Sequence, residues 1–142
     1  MQKIIGLVCV CFMIVSCTEK NTALEINNEH VSGVWQAALF ESTIPGITPE
    51  QQEGGKQEFL SSVYTLHPDH SFELTSNTFA AGAKGRWLLD QNTKELTMTY
   101  EMGGERGEEV FTVKRVTADS LTLRIDLTDG VSYLQLVLAR EK

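Results

Sequence analysis

The clearest concentration of reactive side chains in this chain is a short segment rich in histidine. His67, Asp69 and His70 lie within four residues, and His30 offers a further imidazole. Imidazole and carboxylate groups are zinc ligands, so this spacing would suit part of a metal site. Pro68 favours another interpretation, because Pro-Asp is ordinary turn chemistry and the aspartate can bond its own backbone. We therefore interpret the segment as a turn and expect no metal and no cofactor.

Other catalytic arrangements have few residues to draw on. The serines lack the context of a nucleophile elbow, and the glycines of residues 103–107 lack that of a phosphate-binding loop, so we interpret 103–107 as a flexible turn. Glu105, Glu108 and Glu109 lie in or beside this stretch, where we expect them to be solvated. We predict no enzyme activity.

The amino-terminal residues have the pattern of a secretory signal. Lys3 supplies one positive charge, and an apolar run over residues 4–15 follows it. Roughly a dozen apolar residues suit a signal-peptide core, but they fall short of the roughly 20 that a transmembrane helix needs. The run ends at the small residue Ser16, directly before Cys17.

Ile14-Val15-Ser16-Cys17 resembles a lipobox, the recognition site of bacterial lipoprotein-processing enzymes. The resemblance implies cleavage between Ser16 and Cys17, and acylation of Cys17 by chains such as palmitate. Two or more such chains hold a protein stably on a membrane. Thr18 in place of Asp resembles outer-membrane sorting, so we expect a lipid-anchored protein of the bacterial cell envelope, at the outer membrane. An ordinary secretory signal with another cleavage site is the alternative.

The mature chain would be acidic and free of disulfides. Cys9 and Cys11 would leave with signal residues 1–16, and Cys17 would be a thioether. Without Lys3 the 12 basic residues become 11, against 19 acidic ones, which gives a net charge of −8. This charge disfavours nucleic acid and an anionic membrane surface as electrostatic partners. A domain without disulfides must be held together by its own core.

Residues 17–30 are polar and predict a tether, whereas residues 31–142 predict one β domain. Alternation is clear where Leu96, Met98 and Tyr100 face one way and the threonines between them face the other. Strands are predicted near residues 33–41, 58–66, 71–76, 84–89, 94–101, 108–117, 119–126 and 131–140. Short connections without crossover helices indicate an all-β, antiparallel up-and-down barrel of about eight strands.

One connection, residues 41–56, is too long for a turn. Connections of this length are usually functional or disordered, so we interpret it either as a lid over the open end of the barrel or as a disordered segment. No stretch of the mature chain shows a convincing 3.6-residue period, so no helix is predicted.

The order of several short motifs resembles the lipocalin-like domain family of small bacterial lipoproteins. The motifs are Gly33-Val34-Trp35, the run from Tyr64 to Phe72, Gly85-Arg86-Trp87, Leu96-Thr97-Met98 and Ser120-Leu121-Thr122-Leu123. The resemblance implies a barrel able to hold a small apolar molecule. His70 stands where the family usually has glycine, so we expect a positive φ at His70.

Aromatic residues and a methionine are the candidates for lining a cavity. An eight-stranded barrel is just wide enough either to be plugged by side chains or to hold one small ligand. Core packing is favoured for Trp87, whereas both roles stay open for the tyrosines. The candidate ligand-cavity residues are Tyr64, Trp87, Met98, Tyr100 and Tyr133.

Two functions fit these patterns. The first is a membrane-anchored lipoprotein whose barrel binds a small apolar or amphipathic ligand. A packed interior without a cavity above about 100 Å³ would overturn it, since ligand pockets are typically roughly 300–1,000 Å³. The second is an envelope accessory module with a solid core, which contacts a protein partner of unknown identity. The last strand motivates it, because both faces of residues 131–140 carry apolar side chains.

Overall fold

The short alternating runs form eight strands in the computed structural model, which describes residues 21–77 and 82–142. The strands are β1 Gly33–Ser42, β2 Val63–Leu66, β3 Ser71–Thr75, β4 Ala83–Asp90, β5 Glu95–Met102, β6 Glu105–Val116, β7 Ser120–Asp126 and β8 Tyr133–Arg140. Each strand pairs antiparallel with the next, and β8 pairs with β1. The sheet therefore closes into an up-and-down barrel. This confirms the predicted fold class and is consistent with a lipocalin-like barrel.

Alternate side chains of each strand point into the barrel and form one core. On β5, for example, Leu96 and Met98 are buried while Thr97 and Thr99 lie on the outer face. The largest fully buried side chains include Trp35, Leu66, Phe72, Trp87, Leu96, Met98, Leu121, Leu123 and Leu138. Side chains thus fill most of the interior.

One end of the barrel, which we call the closed end, is covered by residues 21–32, which precede β1 and which we call the covering segment. A short helix, α1 (Asn28–Val31), ends in the fully buried Val31. Leu24 and Ile26 pack against the core, and the Leu24 amide donates to the Val116 carbonyl at 2.8 Å. Residues 24–30 of the predicted tether therefore contact the barrel.

Trp35 and Arg140 join the covering segment to the barrel wall. The indole Nε1 of Trp35 donates to the Val31 carbonyl at 2.9 Å. The guanidinium of Arg140 lies 4.2 Å above the Trp35 ring and donates to the carbonyls of His30 and Ser32. Charge-assisted hydrogen bonds of this kind are stronger than neutral ones. The closed end is thus held by a cation, an aromatic ring and backbone carbonyls together.

The long connection after β1 contains a helix, α2 (Pro49–Leu60), where no helix was predicted. Its first turn is a capping box, in which the Thr48 hydroxyl accepts from the Gln51 amide and the Gln51 side chain accepts from the Thr48 amide. The prediction of a strand over residues 58–66 is wrong for 58–62, since β2 begins at Val63. No residue of α2 is buried, so its sequence has no apolar stripe to produce a 3.6-residue period.

Side-chain contacts attach α2 to β1 near the opposite end of the barrel, which we call the open end. The Phe59 ring stacks on Phe40 with centroids 4.8 Å apart. Gln36 on β1 donates to the Leu60 carbonyl at 2.9 Å. The Gln52 side chain also donates to the Ser42 carbonyl at 3.4 Å, and no residue of α2 is fully buried.

Several turns agree with the sequence, and others are shorter than predicted. His70 has a φ of 68°, as expected. Residues 103 and 104 form a two-residue hairpin turn with positive φ at both positions. β5 therefore continues to Met102, and β6 begins at Glu105. The predicted flexible stretch over residues 103–107 is therefore mostly strand. β8 begins at Tyr133 and not at residue 131.

Candidate ligand site at the open end

The inward faces of five strands surround a small cavity at the open end, which we call the mouth cavity. Its volume is about 60 Å³. The residues that line it are Tyr64, Phe72, Leu74, Ala83, Met98, Tyr100, Met102 and Glu109. The lining is apolar except for two phenol groups and one carboxylate.

Two glycines allow Tyr100 to take its place in the mouth cavity. Tyr100 pairs with Gly85 on β4 and with Gly107 on β6. A Cβ on Gly107 would lie 2.4 Å from the Tyr100 ring, so only glycine leaves room for the phenol. The same ring meets Phe72 edge-to-face, with centroids 6.4 Å apart, an arrangement that aromatic pairs prefer. The position of Tyr100 is therefore fixed by its neighbours on three strands.

The carboxyl of Glu109 interacts with both tyrosines of the mouth cavity. Although Glu109 as a whole stays exposed at the rim, desolvation of its carboxyl raises its pKa, and a hydrogen bond from Tyr100 partly offsets this. Desolvation raises the pKa of Tyr64, and the nearby charge of Glu109 raises it further. The pKa of Tyr100 is raised by the same two causes and by its hydrogen bond to Glu109. The three groups form one polar cluster within an apolar mouth.

The structure brings together three of the five candidate ligand-cavity residues: Tyr64, Met98 and Tyr100. Trp87 points inward nearer the closed end, where its Nε1 donates to the His67 carbonyl at 2.9 Å. Tyr133 lies on the outer face of β8, with the Arg124 guanidinium 3.8 Å from its ring centre. These two residues therefore do not line the mouth cavity.

Glu109 is exposed at the rim, as expected, and it also lines the mouth cavity. It precedes Phe111 and Val113 at alternate positions of β6, and both of these residues are buried. Alternation therefore assigns Glu109 to the inward face. This signal was present in the sequence, since Glu109 lies within the strand predicted near residues 108–117, but its position beside the glycines at 103, 104 and 107 favoured a solvated side chain.

The histidine-rich segment forms the predicted turn. The Asp69 carboxylate accepts hydrogen bonds from the Ser71 amide, at 2.9 Å, and from the Ser71 hydroxyl. These bonds lower the pKa of Asp69. His70 packs against Trp87, with ring centroids 4.7 Å apart. Within residues 21–77 and 82–142, no group of three or more His, Cys, Asp or Glu side chains could hold a metal ion.

A larger groove crosses the outer surface of β4, β5 and β6, but it is a weaker candidate. Its volume is about 720 Å³, and it is broadly open to solvent. Two of its cations already pair with acidic neighbours, Lys84 with Glu73 and Arg106 with Glu101, each at 3.1 Å. Such exposed pairs are satisfied without a ligand.

The predicted cleavage and acylation residues, Ser16 and Cys17, lie outside the described residues. Their roles therefore stay predictions. Where the chain is described, no helix combines the length and the apolar character needed to cross a bilayer.

The fold and the mouth cavity together define a closed eight-stranded antiparallel barrel with one covered end and one open end that carries a polar cluster. This architecture is consistent with a lipocalin-like barrel. Comparison with known protein families and with curated proteins finds no match for the chain. Function is therefore inferred from the geometry of the site.

Proposed function

We propose that this chain is a lipoprotein of the bacterial cell envelope, anchored at the outer membrane by lipid on Cys17, whose barrel binds one end of a small amphipathic ligand. The observation that carries the binding proposal is the cluster of Tyr64, Tyr100 and Glu109 inside an otherwise apolar mouth. Binding sites typically combine an apolar lining with a few convergent polar groups. The order of motifs shared with the lipocalin-like family supports the same class of protein.

The size of the mouth cavity limits how much of a ligand it can enclose. About 60 Å³ corresponds to the volume share of roughly two water molecules. This is below the roughly 100 Å³ that the sequence-based hypothesis required and below the roughly 300 Å³ of an ordinary ligand pocket, so a ligand enclosed within the barrel is excluded. Met98 and Met102 line the cavity, and methionine side chains rearrange readily. We therefore propose that one end of the ligand enters while its remainder lies over the rim.

Mass spectrometry of the amino-terminal peptide tests the anchor. The proposal predicts a peptide that begins at Cys17 and carries the mass of its acyl chains. Cys17→Ser should abolish both the modification and the retention of the protein on membranes. An unmodified peptide that begins elsewhere would contradict the anchor and leave the binding proposal unaffected.

Blocking the mouth tests the binding site. The acylated chain in phosphatidylcholine nanodiscs is titrated with n-hexanol, a neutral amphiphile, against empty nanodiscs, and the ¹³C-methyl resonances of Met98 and Met102 report binding. Met102→Trp should cover the rim and weaken binding at least about tenfold. The matched control Val110→Trp makes a similar change on the outer face of β6 and should have no effect. Equal effects of the two variants, or no binding by the parent chain, would overturn the proposed site.

A second function is favoured by the small volume of the cavity and by one apolar patch on the outer surface. Leu88 on β4 and Val110 on β6 both pair with Thr97 across β5, and they are 66% and 42% exposed. This row would suit an accessory module that contacts an envelope protein. The last strand supports it less, because Val137 is already half-buried. Leu88→Lys should then release a partner that co-purifies with the parent chain in native mass spectrometry.

A further inference from the structure

Glu109 is the feature of the mouth cavity that the architecture of the barrel does not explain. It projects from the inward face of β6 among the side chains that line the cavity. Within the described ranges, no lysine, arginine or histidine forms an ion pair with it. Its partner is the hydroxyl of Tyr100, which donates a hydrogen bond. A partly desolvated carboxylate without a neighbouring cation is costly for a protein to keep.

The groups that face Glu109 from the other strands do not supply the missing charge. Tyr64 comes from β2, two apolar side chains from β3, one from β4, and Tyr100 with two methionines from β5. The nearest basic residues along these strands, Lys84 and Arg106, lie at outward-facing positions. Lys84 pairs with Glu73, and Arg106 pairs with Glu101. The mouth cavity is therefore an acidic and aromatic site.

We infer that the mouth cavity binds the ammonium group of a cationic amphiphile, with Glu109 as its counter-ion. This inference rests on the proposed function, since it names the class of ligand that the same site takes. The carboxylate pairs with the ammonium, and the phenol groups of Tyr64 and Tyr100 lie beside it. Aromatic rings add attraction for a cation through their π faces. The apolar part of the ligand lies along Leu74 and Met102 at the rim.

Charge and size both favour an ammonium group over the alternatives. A carboxylate or phosphate would be repelled by Glu109, and a neutral hydroxyl would leave its charge unbalanced. The cavity of about 60 Å³ suits a compact group such as an ammonium, whereas a bulky head group would not fit. Burial of the ion pair at a partly desolvated site strengthens the attraction relative to water.

Three ligands of equal chain length test the inference. Acylated protein in phosphatidylcholine nanodiscs is titrated with n-hexylammonium, n-hexanol and hexanoate at neutral pH, with empty nanodiscs as the blank. The ¹³C-methyl resonances of Met98 and Met102 give the dissociation constants. We expect n-hexylammonium to bind at least about tenfold more tightly than n-hexanol, and hexanoate to bind weakest.

Two variants on β6 separate a specific pairing from a general effect of charge. Glu109→Gln should remove the tenfold preference for the ammonium, so that within this variant n-hexylammonium and n-hexanol bind with dissociation constants within about twofold of each other. Glu108→Gln makes the same change of charge at an exposed outward-facing position and should leave the preference intact. Circular dichroism spectra establish that both variants fold.

The outcomes separate the inference from the proposed function. If n-hexanol binds but the ammonium binds no more tightly, the mouth is a site and the ammonium inference is overturned. The same holds if the two variants behave alike. If none of the three ligands binds the parent chain, the proposed binding site itself is overturned.

Discussion

The two ends of the barrel differ in how their polar groups are satisfied. At the closed end the Trp35 indole, the Arg140 guanidinium and the backbone carbonyls of the covering segment bond one another. At the open end Glu109 has the Tyr100 phenol beside it, but no cation among the described residues forms an ion pair with it, and α2 has no buried residue. The extensively bonded end and the proposed binding site thus lie at opposite ends of one sheet, and changes at the two ends should have different consequences.

The largest effect is expected from removing the aromatic group at the closed end. Trp35 is fully buried, so Trp35→Ala should lower the free energy of unfolding by about 3–5 kcal/mol. Urea denaturation followed by the fluorescence of Trp87 measures this. Tyr64→Phe at the open end removes only a hydroxyl and should cost less than about 1 kcal/mol. If Trp35→Ala does not fold, Trp35→Phe should give a smaller loss of unfolding free energy. Equal losses for the Trp35 and Tyr64 variants would contradict the difference between the two ends.

A smaller effect is expected from removing the Arg140 guanidinium. Arg140→Met keeps the aliphatic stem but leaves the carbonyls of His30, Ser32 and Ala118 without their donor. The loss should be about 2 kcal/mol, which is typical of hydrogen bonds to charged groups. Arg106→Met removes an exposed pair at the open end and should change stability by less than about 0.5 kcal/mol. An Arg140 variant as stable as the Arg106 variant would show that the closed end does not depend on this contact.

The open end should become more ordered when glycines are removed from α2. Gly54 and Gly55 lie inside the helix, and a Cβ at either position would meet nothing within 4 Å. Gly54→Ala and Gly55→Ala should each stabilise the helix by about 1 kcal/mol. Slower amide hydrogen exchange over residues 49–60 measures the change. Gly85→Ala is the opposite case, because its Cβ would lie 1.8 Å from the Thr99 carbonyl oxygen, and it should destabilise.

The smallest effect is a difference in pH dependence between the two ends. The pKa of Glu109 is raised above its ordinary 4.5, so Glu109 favours the fold below that pH and this contribution is lost as the pH rises through the folded-state pKa. The pKa of Asp69 is lowered, so its contribution is present above its ordinary 3.8 and is lost on acidification. Glu109→Gln should therefore raise the urea midpoint at pH 7 relative to the parent, and the gain should shrink near pH 4. Asp69→Asn should lower the midpoint at pH 7. If the urea midpoints of the two variants differed from the parent in the same direction at pH 7, the opposite pKa shifts of Glu109 and Asp69 would be contradicted.

The barrel could be predicted because alternation is a local property of each strand. Leu96, Met98 and Tyr100 indicated the inward face of β5 without any knowledge of its neighbours. Helix α2 could not be found in the same way, since it buries no side chain and has no apolar period. Its signal was the cap, with Thr48 before Pro49 and Gln51 three residues later, which is specific only when a helix is already suspected.

Alternation also left the depth of each residue along the barrel undetermined. Trp87 and Tyr100 both face inward, yet Trp87 bonds the His67 carbonyl near the closed end and Tyr100 lines the mouth. Tyr133 faces outward because it alternates with the buried Leu136 and Leu138, and it pairs with Asp126 on β7. Depth and register depend on pairing between strands, which no single strand encodes.

The attachment of the covering segment determines which way the barrel faces. Arg115 donates to the Asn21 carbonyl, and the Leu24 amide bonds Val116, so the chain enters the barrel at the closed end. Cys17 precedes Asn21 by four residues, which span at most about 14 Å. If Cys17 is acylated as proposed, the closed end faces the bilayer and the mouth opens into the aqueous compartment. In the variant Asn92→Cys a fluorophore attached to the new cysteine marks the closed end, and in Gly104→Cys it marks the open end. Nitroxide lipids should then quench the first fluorophore more strongly than the second. A ligand would reach the barrel from water and not from the lipid that holds it.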